Sequence, residues 1–361
     1  KIDQYVYDLI GSVYSQVEKK EPWCREARAI VEVGVFTSEE FTGERVPVAT
    51  AGAVQMLQEG AYQFDILDSR SNLERYKLLI LPDAIKLKPE LAAKLDQFVA
   101  DGGKLIVTGL SGLNPEGTAF ALDSLGIRLK DNPTLADDGL PAGGREVGTC
   151  LQYVDYILPG EGVGRGLPPT EHAMYLKAVE IEAEPGTEVL ADVAASYFDR
   201  TGEHFCSHRQ TPSSGKVSQP AVVRNGNVIY FAHPIFTIYN KNAPRWCKQL
   251  VLNTLELLLG EPLLCHSGPS TTLATINEQP NENRWIVHLL HYVPERRSQE
   301  IDIIEDVIPL YNLEVSLKID EPVKAVTSVP DMQALPFERK DGRLNLILPR
   351  LDGHQMIEIA F

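Results

Sequence analysis

Cysteine is scarce, and no two cysteines are spaced as a pair. The five, Cys24, Cys150, Cys206, Cys247 and Cys265, are scattered along 361 residues. The lack of any CxxC argues against a zinc ribbon or a dense disulfide scaffold and points to a reducing, cytoplasmic setting. Positive charge is short as well. Against 50 Asp+Glu stand 34 Lys+Arg, a formal net charge of −16. This balance argues against nucleic acid or an anionic membrane as a partner, because phosphate binding needs a concentrated basic surface. Long apolar runs are missing too. The best of them, Leu250 to Leu259, is interrupted by Asn253, Thr254 and Glu256, and it falls short of the ~18 to 20 residues of a membrane span. No signal-peptide core is present, and Lys1 stands where an initiator Met is expected. The chain is therefore expected to be a fragment or a processed product.

What is present is enough for a sizeable core. Hydrophobic residues make up 43% of the chain, and the length implies two or three domains. With 27 Gly and 24 Pro, nothing reads as collagen, coiled coil or wholesale disorder.

Residues 1–30 read as a leading helical segment. Tyr5, Leu9, Val13 and Val17 form one stripe, and Ile2, Val6, Ile10 and Tyr14 form a second. A helix apolar over this width is expected to pack against more than one neighbour. A βαβ pattern follows. Residues 31–36, 64–67, 77–82 and 104–108 are short apolar strands, and 49–60 and 88–101 are helices between them. The second helix carries Pro89 in its first turn and stops at Gly102-Gly103. Near-continuous apolar strands alternating with helices predict a parallel sheet covered on both faces. Residues 132–170 are rich in Gly and Pro and read as a long loop. Strands are expected again at 175–181 and 188–193. A hairpin at 221–232 turns on Asn225-Gly226, and a helix over 243–259 ends at Gly260.

Beyond Pro262 the pattern becomes short strands alone, at 285–292, 301–308, 313–318, 325–329, 344–348 and 355–359. This spacing predicts a β-sandwich. The expected domains are 1–30, 31–266 and 267–361.

Two short runs carry a resemblance. Val107-Thr108-Gly109-Leu110-Ser111-Gly112 lies where a strand meets a turn, and Tyr230 to Phe236 ends a later strand with His233-Pro234. With the βαβ order, these resemble class I glutamine amidotransferase-like domains. That resemblance implies a flavodoxin-like α/β parallel sheet, which here precedes the all-β sandwich read from the strand spacing. It also implies a triad, which this sequence lacks. Leu110 stands at the nucleophile position and Ile235 at the acid position, and only His233 remains. Leucine cannot attack an amide, and isoleucine cannot orient a histidine. Such a degenerate domain looks like the trimerisation domain of glycoside hydrolase family 42 β-galactosidases and of related α-L-fucosidases. The runs 197–201, 204–208 and 229–239 add to that likeness. It implies a homotrimer, a carbohydrate-hydrolysing activity on galactosides or fucosides, and a catalytic barrel outside this chain. Eight βα units need ~250 residues, and only about four are legible here.

Other residues invite chemistry. His204, Cys206 and His208 alternate, so on a strand they would share one face. A zinc site would need a fourth ligand, and none is visible, so no metal or other cofactor is expected. With Arg209, these residues are candidates for facing sugar or the barrel. His288 and His291, three apart on a strand, face opposite sides. Glu39, Glu40 and Glu44 read as a solvated acidic loop. Gly109 to Gly112 matches neither GxGxxG nor GxxxxGK[ST], so nucleotide binding is not indicated. Trp23, Trp246 and Trp285 read as packing residues. The portion read here is thus expected to be a non-catalytic oligomerisation part of a glycoside hydrolase. Two rivals are an amidotransferase-like hydrolase with Ser111 or Cys206 as a relocated nucleophile, and a carbohydrate-binding module using Trp285, Tyr292 and Tyr311.

Overall fold

The computed structural model describes residues 3–133, 135, 141, 154–198, 203–207 and 211–361. The chain forms two compact units. One comprises Glu32–Leu57 and Phe64–Glu261, the other Lys1–Val31, Gln58–Gln63 and Pro262–Phe361. The leading segment, expected as a separate part, thus falls with the C-terminal residues.

The first unit is α/β. Its sheet contains β1 (Val33–Phe36), β2 (Phe64–Leu67), β3 (Leu78–Leu81), β4 (Lys104–Thr108), β5 (Asp155–Pro159), β6 (His172–Met174), β7 (Glu188–Ser196), β8 (Ser213–Asn225) and β9 (Val228–Phe231). Their order is β2-β1-β3-β4-β9-β8-β7-β5-β6. The first five are parallel, and in chain order they run 2-1-3-4-5, the flavodoxin-like sequence of strands. The other four are antiparallel, so the sheet is mixed rather than wholly parallel. The cause is the turn at Gly226, where φ is +57°. A two-residue hairpin can only return the chain beside itself in the opposite sense.

The strands β1, β3 and β9 are buried along their whole length. The helices beside the sheet include α2 (Val48–Glu59), α3 (Pro89–Ala100), α4 (Ile235–Asn242) and α5 (Arg245–Leu259); α1 is the leading helix, Gln4–Lys20. The expected helix over 243–259 starts two residues later, and α4 precedes it. Ala243, at φ +47°, ends α4, and Pro244 caps α5, because a proline ring blocks a continuous helix. The expected strand at 175–181 is irregular except for Ile181, which opens the short strand Ile181–Ala183 paired with Ile127–Leu129. The long loop expected over 132–170 contains β5. Glu39, Glu40 and Glu44 are exposed as expected, though Glu39–Thr42 forms one helical turn.

The second unit is an antiparallel sandwich. One sheet orders Arg28–Ala29, β11 (Thr272–Gln279), β12 (Arg284–His291), β18 (His354–Ala360), β14 (Ala325–Val329) and β15 (Gln333–Ala334). The other orders β10 (Leu264–His266), β13 (Leu310–Lys318), β17 (Arg343–Leu351) and β16 (Phe337–Lys340). Alternation supplies the core between them. Leu313, Val315 and Leu317 of β13 and Leu344, Leu346 and Leu348 of β17 meet Ile276, Val287, Leu289 and Ile357. The expected strand at 301–308 shrinks to Asp302–Ile303, paired with Glu295–Arg296. An apolar run becomes a strand only where a neighbour accepts its ladder hydrogen bonds.

The leading segment is tied in at its end. The Trp23 indole donates to Glu358 at 2.6 Å, Arg284 lies over the Trp23 ring, and Gln279 donates to the Pro22 and Arg25 carbonyls. Helix α1 itself buries no residue, so the neighbours that its apolar width calls for are not found among the described residues.

One close approach governs the α/β packing. A Cβ on Gly52 of α2 would sit 2.1 Å from the Phe236 carbonyl oxygen of α4. Gly52→Ala is expected to cost about 2 kcal/mol or more, read as a lower urea midpoint. An unchanged midpoint would show that the two helices are not in contact there.

Candidate functional site

In open α/β sheets, ligands bind at the carboxyl ends of the parallel strands. Here β3, β4 and β9 end side by side and deliver Asp83, the Thr108–Gly112 turn and His233-Pro234. Gly109 lies at φ +58°, and a Cβ there would come within 2.9 Å of the Asp83 carbonyl oxygen and 3.3 Å of Pro234. Only glycine fits so crowded a left-handed turn. The Tyr230 hydroxyl donates to the Gly109 carbonyl at 2.6 Å, and the Leu110 amide donates to the Asp83 carbonyl at 2.7 Å. Leu110 is half-buried, and Ile235 is buried as the first residue of α4.

Asp83 occupies the centre of this end. It is 4% exposed. The Thr108 hydroxyl donates to its Oδ1 at 2.5 Å, and the Thr237 amide, in the first turn of α4, donates to its Oδ2 at 2.6 Å. Pro234 supplies no side-chain cap to α4, so Asp83 does so from another strand. The amide that an anionic ligand would otherwise seek is thus taken by the protein's own carboxylate. Burial raises the Asp83 pKa, while the hydrogen bonds from Thr108 and Thr237 oppose the rise. Burial also pushes up the Tyr230 phenol and the Cys247 thiol, with the Asp83 charge adding to both. Cys247 is therefore a protonated core thiol and not a nucleophile.

His233 is fully buried, and its Nε2 meets Asp155 Oδ1 at 2.5 Å. The other Asp155 oxygen accepts the Ala178 amide at 3.0 Å. A carboxylate therefore does orient the histidine, although Ile235 cannot. It comes from β5, inside the segment read as a loop. The alternating Asp155-Tyr156-Ile157 was the signal available there. The His233 Nδ1 is buried without a hydrogen-bond partner among the described residues. Among the described residues, no hydroxyl or thiol is hydrogen-bonded to the pair. Ser111 is fully buried and accepts the Ile85 amide at 3.0 Å. Among the described residues no hydrogen bond joins Ser111 to His233, so proton transfer between them has no path.

The 203–207 segment is irregular, so the one-face argument for His204, Cys206 and His208 does not apply. His204 stacks on Phe198 at 3.9 Å between ring centroids. Phe198 in turn lines a cleft of about 230 Å³ together with Asp155, Lys130, Glu180 and Gln219. Cys206 is half-buried; its charge is one of the influences raising the Tyr156 hydroxyl, after burial and Glu171. His208 and Arg209 lie outside the described residues. Among the described residues, no three His, Cys, Asp or Glu are placed to hold a metal. His288 and His291 face apart: His288 meets His354 at 3.3 Å, and His291 meets Thr271 at 3.3 Å. Trp285 packs edge-on against Phe361 and the sandwich core, which removes it as a sugar platform. Trp246 donates to the Ala173 carbonyl beside His172, a packing role.

Among the described residues, this strand end is closed by Asp83, and no hydroxyl or thiol is hydrogen-bonded to His233. Residues 55–131 match the family model described as the β-galactosidase trimerisation domain. The whole chain is similar to α-L-fucosidase isoenzyme 2 from Paenibacillus thiaminolyticus, with 34% identity and a TM-score of 0.87. The match covers 100% of this chain and 53% of the fucosidase. A β-galactosidase of Alicyclobacillus acidocaldarius is 25% identical over 142 residues, which are 37% of this chain and 18% of that protein. The β-galactosidase of Bacillus circulans sp. alkalophilus shares the fold at 16% identity and a TM-score of 0.57, over 93% of this chain and 42% of that one. The chain thus spans about half, or less, of the proteins it resembles.

Two outcomes test the site. Asp155→Ala, which strands His233 in the core, is expected to cost about 3 kcal/mol or more in unfolding experiments. A loss below about 1 kcal/mol would show that the pair is solvated. Asp83 has a folded pKa raised above 3.8, so the folded protein takes up its proton more readily than the unfolded chain. The stability of the wild type relative to Asp83→Asn is therefore expected to rise as pH falls through the raised value and to level off below about 3.8. A difference that stays flat from neutral pH to pH 4 would contradict the buried carboxylate.

Proposed function

We propose that this chain is the non-catalytic, oligomer-forming portion of a carbohydrate-hydrolysing enzyme, and that it holds a homotrimer together. The match of residues 55–131 to the β-galactosidase trimerisation domain carries this reading. The closed strand end supports it, since Asp83 holds the first-turn amide of α4 and His233 Nδ1 has no hydrogen-bond partner among the described residues. The hydrolytic site lies in a catalytic barrel outside these 361 residues. Its substrate is a fucoside or a galactoside. The 34% identity to a fucosidase over the full chain, against 25% over 142 residues for a β-galactosidase, favours the fucoside. His204, Cys206, His208 and Arg209 face sugar or the barrel in the assembly. The Phe198–His204 stack at the rim of the cleft supports that orientation. The enzyme works in the cytoplasm.

The purified chain is expected to give no turnover of nitrophenyl α-L-fucoside or β-D-galactoside. In sedimentation it is expected to run at three times its 40.0 kDa mass. Turnover by the chain alone would overturn the non-catalytic reading, and a monomer at micromolar concentration would overturn the trimer.

A further inference from the structure

Helix α1 carries eight apolar residues, from Tyr5 to Val17, each between 41% and 73% exposed. At 100° per residue they sweep from Tyr5 through Val13 to Tyr7, an arc of about 200°. A helix lying on one surface needs an apolar stripe about half as wide. Asp8, Ser15 and Lys19 hold the remaining sector. A 17-residue helix rich in Val, Ile and Tyr is marginal in water without tertiary packing. Its width calls for burial beneath and on both sides, the environment of a helix in the ring around a (β/α)₈ barrel.

A second apolar surface of the same unit leads to the same corner. Ile301, Ile303, Ile304, Val307 and Ile308 are 44% to 62% exposed. The Lys20 ammonium, at the end of α1, reaches His354 Nδ1 at 2.9 Å. A Cβ on the neighbouring Gly353 would lie 3.5 Å from Val307. The helix and the 301–308 segment therefore flank one turn, Asp352–His354.

We propose that α1 is a helix of the catalytic domain's outer layer, and that the 301–308 segment is the adjoining seat of that domain on the β unit. This inference rests on the reading that a catalytic barrel exists outside the chain. The 47% of the fucosidase left uncovered by a match that takes in all of this chain supplies the length such a domain needs. The Phe361 carbonyl is held by Asn283 and Lys324 at 2.8 and 2.7 Å, and the residue packs on the sandwich core.

The test compares the 361-residue chain with the whole polypeptide that its gene encodes. By hydrogen exchange, the amides of α1 and of 301–308 are expected to exchange at least tenfold more slowly in the whole polypeptide. Tyr5→Ser with Val13→Ser is expected to leave the unfolding of the 361-residue chain unchanged, and to lower the whole polypeptide's fucosidase or galactosidase activity at least tenfold. Ile301→Ser with Ile304→Ser is expected to lower that activity or its thermal midpoint without changing the chain alone. Equal exchange in the two proteins, in a polypeptide that does contain a barrel, would overturn this inference and leave the functional reading standing. Loss of self-association of the 361-residue chain on Tyr5→Ser with Val13→Ser would assign the face to a second copy and overturn it too. A gene product with no further domain would overturn the functional reading itself.

Discussion

The carboxylate of Asp83 accepts hydrogen bonds from the Thr108 hydroxyl and the Thr237 amide. Those two bonds join the ends of β3 and β4 to the first turn of α4. Around them the rest of the strand end takes its shape. Gly109 must be glycine because the Asp83 backbone presses on it, and Pro234 closes the other side. Tyr230 spans the gap to the Gly109 carbonyl. A buried carboxylate is costly unless its oxygens are hydrogen-bonded, and both are. An α/β sheet of this order ordinarily offers its strand ends to a ligand; here the protein occupies that position itself.

The His233–Asp155 pair applies the same logic a few residues away. It keeps the geometry of a catalytic pair, an oriented imidazole, yet among the described residues no hydroxyl or thiol is hydrogen-bonded to its other nitrogen. Its role is to tie β5 to the end of β9, and so to hold the antiparallel half of the sheet against the parallel half. A scaffold needs such cross-links between segments far apart in the chain more than it needs reactivity. The sandwich unit relies instead on alternation, which buries one side of every long strand without a single buried ion pair at its centre.

Much of this was legible in local pattern. The strand runs around Val33, Leu79 and Ile106, the helix stopped by Gly102-Gly103 and the hairpin at Asn225-Gly226 all follow from periodicity and turn chemistry. The triad positions Leu110 and Ile235 came instead from the resemblance to amidotransferase-like domains. Less was legible where a segment depends on a distant partner. Residues 301–308 have the composition of a strand, but only two of them find a neighbour. Residues 155–159 sit in a Gly- and Pro-rich stretch, and become a strand because β7 and β6 flank them. The His204, Cys206 and His208 alternation required a strand, and the backbone at 203–207 is not one.

The sequence by itself determined an α/β unit followed by a sandwich. Those properties are set by residues a few positions apart, where side-chain period and turn preference act. Only the tertiary structure decided that Asp155 orients His233, 78 residues away, and that Asp83 caps α4 at Thr237, 154 residues away. It also decided that α1, however apolar, is covered by none of the described residues. Contacts of that range depend on which strands become neighbours, and a hydrogen bond or a buried face exists only once the whole sheet has placed both partners.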